Sequence, residues 1–247
     1  MVTSRTELLQ FVLRKIESMT RLDEDDRAAL RRLPLRIECV PADYYLVREG
    51  AGASRCCLLA DGYACRHKIL RNGRRQIVSF HVRGDILDLQ HLLFPIADHN
   101  VQTLTESVVG WVPSRELRQL AHERPAIGDA LWRDTLIDAS IFREWVLNVG
   151  QRDARERIAH LLCEFAARGH AVGLGSAQGF DLPMTQAEIG DATGLTAVHV
   201  NRTLRVLKEQ GVIAQDRRQL IVRDWPSLAR IAGFHPRYLH SSVLRAA

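Results

Sequence analysis

The side chains best suited to specific chemistry lie in one short segment near the C-terminal end of the chain. If this segment is an α-helix, with about 100° between residues, one outward face carries Val198, Asn201, Arg202 and Arg205. Arginine can donate two hydrogen bonds to guanine, asparagine can pair with adenine in the same way, and neighbouring cations can contact phosphates. The spacing therefore predicts a helix that reads base edges in DNA, although a solvated face on any helical hairpin has similar polarity.

The residues around this face predict a helix-turn-helix. Thr185 and Glu188 have the spacing of a capping box, so a helix begins there, and Thr196 is suited to cap a second helix. Five positions carry the residue types required where two helices cross closely and the chain turns between them: Ile189, Gly190, Gly194, Leu195 and Val200. In the second helix, the predicted inward-facing residues are Val200, Thr203, Leu204 and Leu207.

Two short apolar stretches follow and are joined by a basic turn. Gly211-Val212-Ile213 and Leu220-Ile221-Val222 predict the strands of a wing. Arg217 and Arg218 at its tip suit a flanking phosphate, although exposed hairpin arginines are common without any ligand. The predicted DNA-binding residues are Thr185, Thr196, Ala197, Val198, His199, Asn201, Arg202, Arg205, Arg217 and Arg218.

Residues from Leu35 to Pro113 predict a roll of short antiparallel strands. Gly50, Gly62, Gly73 and Gly84 recur 12, 11 and 11 residues apart. Asp61-Gly62 and Asn72-Gly73 are strong tight-turn signals between apolar stretches. Before the roll, helical periodicity extends from about Thr6 to Leu33.

A long helix is predicted from Ala126 to Val149, because this stretch contains no proline and has helical apolar periodicity. Its apolar residues form two stripes, and one stripe can cover the roll while the other needs a partner. We expect dimerisation through the stripe Ala130, Ile137, Ile141 and Trp145; the second stripe is Trp132, Leu136, Ala139 and Val146. The alternative is a central helix buried within one chain.

The composition excludes several classes of protein. The 247 residues are 46% hydrophobic and 26% charged, which is typical of globular proteins. The sequence has no long apolar run and no signal-peptide pattern, which predicts a cytoplasmic protein without membrane contact. The net charge of the chain is +5. The part from Gln151 onward contains 13 Lys and Arg and 9 Asp and Glu, so its net charge is +4. The cysteines lack zinc spacing and common catalytic motifs are absent, so we expect no metal, no cofactor and no enzyme activity.

Together these features resemble the Crp/Fnr superfamily of bacterial transcription regulators. The resemblance rests on the glycine-spaced roll ending at Gly84-Asp85, the long helix, Arg157-Ile158-Ala159, and the segment Thr185 to Lys208 with its wing. It implies an α+β protein: an N-terminal cyclic-nucleotide-binding-like roll with a helical start (1–124), a dimerisation helix (125–150) and a C-terminal winged helix-turn-helix (151–247). It also implies a homodimer on a palindromic DNA operator, with RNA polymerase as a further partner. Where the family presents a glutamate that accepts from cytosine, this chain has Val198.

Departures from the family bear on the signal. The Arg and Ser or Thr that hold a cyclic phosphate are replaced by His99 and Asn100, and the ribose-binding Glu has only Asp88 as a displaced candidate. The adenine-contacting Thr-Ser pair of the long helix corresponds to Phe142-Arg143. We therefore expect no response to cyclic AMP.

The sequence leaves open whether the protein senses redox state, haem or a metal. No cysteine precedes Cys39, so the N-terminal cysteine cluster of the oxygen-sensing members is missing. The cysteines of the roll could form a redox switch or simply pack as small hydrophobic residues: Cys56, Cys57 and Cys65. A haem or metal site would draw on the histidines of the roll: His67, His81, His91 and His99. The alternative function is a small-molecule, haem or redox sensor whose winged helix serves protein contacts.

Overall fold

The computed structural model describes residues 5–175, 179–216 and 219–240. Contacts divide the chain into two units. Unit 1 comprises Met1–Lys68 and Phe80–Asp138, and unit 2 comprises Ile69–Ser79 and Ala139–Ala247.

Unit 1 begins with two helices, α1 (Arg5–Met19) and α2 (Glu24–Arg32). The sequence predicted helical structure across both, and the start of α2 has a local cause. The Asp23 carboxylate accepts a hydrogen bond from the Asp26 N–H at 2.7 Å, and the Asp26 carboxylate accepts one from the Asp23 N–H at 3.2 Å. This capping box begins a new helix.

Seven strands follow between Leu35 and Pro113, where the sequence predicted a roll of short antiparallel strands. They are β1 (Arg36–Val40), β2 (Tyr45–Val47), β3 (Arg55–Asp61), β4 (Ala64–Ile69), β5 (Arg75–His81), β6 (Asn100–Thr103) and β7 (Ser107–Pro113). One sheet has the order β1-β7-β3 and the other β2-β6-β4-β5. β7 pairs antiparallel with β1 and β3, and β6 pairs antiparallel with β2 and β4. The strands of the roll share one buried apolar cluster, which includes Leu59, Val101 and Val109.

The two strongest predicted turns are confirmed. Gly62 and Gly73 have φ values of +88° and +81°, in the left-handed region that favours glycine. At Gly62 a Cβ atom would also collide with Ser107 and with the Glu106 carbonyl oxygen, so no larger residue fits there.

A 3-10 helix (Leu89–Leu92) lies between β5 and β6, and two helices follow β7: α3 (Ser114–Glu123) and α4 (Pro125–Gln151). The prediction of a long helix is confirmed, and its 27 residues span about 40 Å. Pro125 occupies the first position, where its missing N–H costs nothing. The division between the two units falls within α4.

In the single chain, the stripe of α4 that was predicted to form the dimer seam is mostly covered. Ala130, Ile141 and Trp145 are 0%, 6% and 7% exposed, and Ile137 is half-buried. Because these side chains are covered by their own chain, they have little area left for a partner. The exposed apolar stripe is the other one, with Trp132 at 67%, Leu136 at 52% and Val146 at 70%.

Unit 2 includes most of β5 and the part of α4 from Ala139 onward, and it adds further helices and a small sheet. The elements are α5 (Ala154–Ala171), β8 (Gly179–Asp181), α6 (Gln186–Thr193), α7 (Ala197–Glu209), β9 (Ile213–Asp216), β10 (Gln219–Val222), α8 (Trp225–Ala232) and a 3-10 helix (Pro236–Leu239). The sheet has the order β8-β10-β9. Buried Glu164 of α5 accepts hydrogen bonds from Trp145 Nε1 (3.0 Å) and the Tyr238 hydroxyl (2.7 Å), so one carboxylate joins three elements of unit 2.

None of the helices in the described ranges combines the length and apolar character needed to cross a lipid bilayer.

Candidate nucleic-acid interface

Two short helices in unit 2, α6 and α7, begin where the sequence predicted. Thr185 Oγ1 accepts a hydrogen bond from the Glu188 N–H (3.2 Å), and Glu188 Oε2 accepts one from the Thr185 N–H (2.7 Å). Thr196 Oγ1 accepts one from the His199 N–H (3.3 Å) at the start of α7. At the start of each helix, one orphan N–H group is therefore satisfied by a capping side chain, which fixes where the helix begins.

Two glycines set the turn between α6 and α7. A Cβ atom on Gly190 would lie 2.5 Å from the Leu195 carbonyl oxygen, so only glycine allows this close approach. Gly194 ends α6 with φ +69° and ψ +30°, and its N–H donates to the Gly190 carbonyl oxygen. This geometry explains why both positions carry glycine.

The helix α7 is buried on one side and open on the other. Val200, Leu204 and Leu207 are buried, and Thr203 is half-buried. The opposite face is open: Val198 is 78% exposed, and Asn201, Arg202 and Arg205 are also exposed. The predicted inward and outward faces are thus confirmed.

The polar side chains of this open face differ in what they contact. Asn201 Nδ2 donates to Gln186 Oε1 at 3.2 Å, and Arg205 Nε lies 3.6 Å from Glu209 Oε1. The Arg202 guanidinium makes no hydrogen bond or ion pair with any residue that the structure describes. As far as the described residues are concerned, all of the Arg202 donors are therefore left for an external acceptor.

The remaining predicted contact residues divide into two groups. Thr185, Thr196, Ala197 and His199 are exposed at the N-terminal ends of α6 and α7. The wing strands β9 and β10 pair antiparallel, with Leu220 opposite Gln215. The first strand begins at Ile213 and includes Gln215, which was predicted to belong to the turn. Arg217 and Arg218 at the wing tip lie outside the described residues.

The first helix of the motif is held by residues for which the sequence predicted no such contact. Arg157 of α5 donates to the Thr193 carbonyl oxygen (3.1 Å) at the end of α6. Arg75 Nε donates to Asp191 Oδ2 (2.8 Å), and Gln76 Nε2 donates to the Ala192 carbonyl oxygen (3.3 Å). Arg157 belongs to a recognisable motif, but Arg75 and Asp191 are 116 positions apart and carry no local signal.

In unit 1, the candidate ribose-binding residue Asp88 is engaged by its own chain. Its Oδ1 accepts a hydrogen bond from the Cys57 N–H (2.9 Å), and its Oδ2 lies 3.0 Å from His91 Nδ1. The side chain is buried. Asp88 therefore has a structural role and does not replace the glutamate that binds the ribose in the cyclic-nucleotide site.

The two residues at the position of the cyclic-phosphate contacts are engaged in the same way. His99 Nδ1 lies 2.7 Å from Asp98 Oδ1, and Asn100 Oδ1 accepts a hydrogen bond from the Glu49 N–H at 3.0 Å. Burial, with a further contribution from the charge of Arg66, lowers the pKa of His99. A neutral imidazole at pH 7 cannot replace a guanidinium, so these residues do not fit a cyclic phosphate.

The cysteines do not fit an iron–sulfur cluster. Cys56, Cys57, Cys65 and Cys163 are buried, and Cys39 is exposed. Burial, followed by the nearby Asp88 carboxylate, raises the pKa of Cys56 to about 12 and also raises the pKa of Cys57, so both remain thiols. Within the described residues, no group of three or more His, Cys, Asp or Glu is arranged to hold a metal ion.

A capped helix-turn-helix with a two-stranded wing, in a chain that also carries an antiparallel roll, defines a winged-helix DNA-binding regulator. Residues 156–231 match the Crp-like helix-turn-helix domain, and residues 37–124 match the cyclic nucleotide-binding domain. The chain belongs to the Crp/Fnr family of transcription regulators.

Named relatives are similar along most of their length. The transcriptional activator protein FnrL of Cereibacter sphaeroides is 29% identical over 217 residues, which cover 86% of each chain. The transcriptional activator protein Anr of Pseudomonas aeruginosa is 27% identical over 218 residues, covering 88% of this chain and 86% of the relative. The structure of FixK2 from Bradyrhizobium japonicum has a TM-score of 0.76 at 27% identity, covering 82% of this chain and 100% of that one.

Proposed function

We propose that this transcription regulator binds a palindromic DNA operator as a homodimer and does so without cyclic AMP. The observation that carries the proposal is the open face of α7, where Arg202 is exposed and has no partner within the described residues. A guanidinium left free beside an asparagine amide is suited to the major groove, where each can make two hydrogen bonds to one base.

The homodimer is supported by the exposed stripe of α4. Trp132, Leu136 and Val146 together expose a row of large apolar side chains along one helix. Such a row is unfavourable in water and is typical of a helix that packs against a second helix. Two copies related by a twofold axis would present two recognition helices, which is why the operator is expected to be palindromic.

Independence from cyclic AMP is supported by the replaced contacts in the roll. Asp88, His99 and Asn100 are all engaged by their own chain, and none offers a permanent positive charge. We propose that the protein acts without a cofactor, controlled by its abundance or by a signal of another kind. Since its proposed ligand is DNA, we also propose that it acts in the cytoplasm.

A salt titration tests the DNA proposal. The purified protein is titrated against a palindromic site taken from its own upstream DNA, at several salt concentrations and with and without cyclic AMP. We expect specific binding whose logarithm falls linearly with the logarithm of the salt concentration, because phosphate contacts release counterions. Binding that is insensitive to salt would contradict the proposal.

The binding of cyclic AMP is measured by calorimetry, and its effect on DNA affinity is measured by the same titration. We expect no heat of binding at micromolar nucleotide and no change in DNA affinity. A micromolar dissociation constant would overturn independence from cyclic AMP while leaving the DNA proposal intact.

The alternative, in which the winged helix serves protein contacts, is not favoured, because the matched model and relatives are those of DNA-binding regulators. Contact with RNA polymerase is a further proposal. It is supported by the names of FnrL and Anr, both of which are transcriptional activators.

A further inference from the structure

Gln186, the first residue of α6, contacts the recognition helix through a side chain that faces outward. Asn201 Nδ2 donates a hydrogen bond to Gln186 Oε1 at 3.2 Å, and both side chains are exposed. The contact links the two helices on the side that is open to DNA, next to Arg202.

The chemistry of an amide makes this contact directional. An asparagine side chain has one acceptor oxygen and one nitrogen with two donors, and the group has nearly the same shape when it is turned by half a rotation. In the orientation that the structure shows, Gln186 Oε1 accepts the hydrogen bond, so the Asn201 nitrogen points toward α6. The Asn201 oxygen and the second N–H then remain, and this pair matches the N6–H and N7 groups of adenine.

We propose that Gln186 is a positioning residue that fixes the Asn201 amide and thereby sets a preference for adenine at one base pair of each half-site. The inference rests on the proposed DNA-binding function. It predicts a role for Gln186 that differs from a phosphate contact, because phosphate contacts carry no sequence information.

Three variants distinguish a role of Gln186 in positioning the Asn201 amide from a general contribution to DNA affinity. Asn201→Ala first identifies the base pair that Asn201 reads, by titration against the operator and its single-base substitutions. Gln186→Leu removes the acceptor and keeps a similar size. Gln186→Glu keeps the acceptor and adds a charge that the DNA backbone repels.

We expect Gln186→Leu to reduce the adenine preference at that base pair by about three- to tenfold, as for the loss of one modest hydrogen bond, with the other positions unchanged. In the Asn201→Ala background the same substitution should have no further effect on that preference. Gln186→Glu should weaken all sites alike and keep the adenine preference. The matched control is Gln210→Leu, at the other end of α7, which should leave every base preference unchanged.

Two results would overturn the inference: an Asn201→Ala variant with unaltered base preferences, or a Gln186→Leu variant that weakens all sites equally. Because Gln186 is exposed, the melting temperatures of its variants should match that of the parent protein, which removes misfolding as an explanation. If the parent protein shows no sequence preference at all, the proposed function fails as well, and this result is recognised before any variant is made.

Discussion

At the scale of single residues, the two outward-facing arginines of α7 differ in their surroundings. Arg205 Nε lies 3.6 Å from Glu209 Oε1, whereas Arg202 has no partner in the described part of the chain. A free guanidinium can make a bidentate contact with guanine, whereas Arg205, held near a carboxylate, is expected to serve as a neighbouring cation for a phosphate. The two arginines are therefore expected to serve different functions on one helix.

The substitution Arg202→Ala tests this assignment. We expect a loss of about 1 to 3 kcal/mol of binding free energy and a flattened preference at one base pair of each half-site. Titration against the operator and its single-base variants at several salt concentrations provides the measurement. Arg205→Ala is the control and should weaken all sequences alike. A variant Arg202→Ala with intact base preferences would show that Arg202 does not read a base directly.

At the scale of elements, the recognition helix depends on a close crossing that only glycine permits. The Cβ atom of an alanine at position 190 would meet the Leu195 carbonyl oxygen, which is backbone and cannot rotate away. Any relief must therefore come from a shift of α6 relative to α7. Such a shift would displace the open face that presents Arg202.

Gly190→Ala is accordingly expected to cost about 1 to 3 kcal/mol of folding free energy, as for overpacked sites. Gly150→Ala is the matched control, because Gly150 lies in α4 with open space around its Cβ position. The control should leave stability unchanged or raise it by about 0.5 to 1 kcal/mol. Chemical denaturation of both variants provides the comparison, and equal stabilities would contradict the crossing argument.

A second element-level feature is the ion pair that joins α4 to the roll within unit 1. Arg66 Nη1 donates to Asp138 Oδ2 at 2.7 Å, and Arg66 Nη2 donates to the Leu87 carbonyl oxygen at 2.6 Å. The Arg66 side chain is 9% exposed and that of Asp138 is 34% exposed. Removing the arginine would leave two acceptors without this donor in a poorly solvated place.

We expect Arg66→Met to lower the free energy of unfolding by about 1 to 3 kcal/mol, less than for a fully buried pair because Asp138 reaches solvent. The control is Arg27→Met, whose Nε also lies 2.7 Å from a carboxylate, that of Glu17, but with both side chains about one-third exposed. That pair should be worth less than about 1 kcal/mol. Denaturation curves of the two variants would contradict the argument if they coincided.

At the scale of the whole molecule, the proposed dimer depends on which stripe of α4 remains exposed. Leu136→Glu would place a charge in the proposed seam and is expected to convert a dimer to a monomer while the chain stays folded. Sedimentation measures the mass, and DNA titration should show loss of tight operator binding because a monomer contacts one half-site. The control is Leu93→Glu, another exposed leucine, located outside α4.

A Leu136→Glu variant that keeps the mass of a dimer would show that the seam lies elsewhere. Ile141→Glu is expected to behave differently, since Ile141 is buried in its own chain. A charge there should destabilise the fold itself by several kcal/mol, and not only its association.

The helix-turn-helix and its outward face were predictable from local sequence alone. Caps such as Thr185 and the left-handed Gly194 depend on backbone groups only a few residues away, so their signals are complete within about 25 residues. The turns of the roll at Gly62 and Gly73 were predictable for the same reason. The contact between Gln186 and Asn201 crosses the motif, and no pattern in the sequence pointed to it.

Packing between distant parts of the chain determines which apolar stripe of α4 is covered and which residues hold α6. Both stripes have helical spacing, so periodicity cannot distinguish them; packing against the chain buries Ala130 and Trp145 and leaves Trp132 exposed. The pairing of Arg75 with Asp191 and the use of Asp88 as an internal acceptor likewise join residues distant in sequence. Local sequence encodes hydrogen bonds and steric limits between near neighbours, whereas burial depends on every element that reaches the same place.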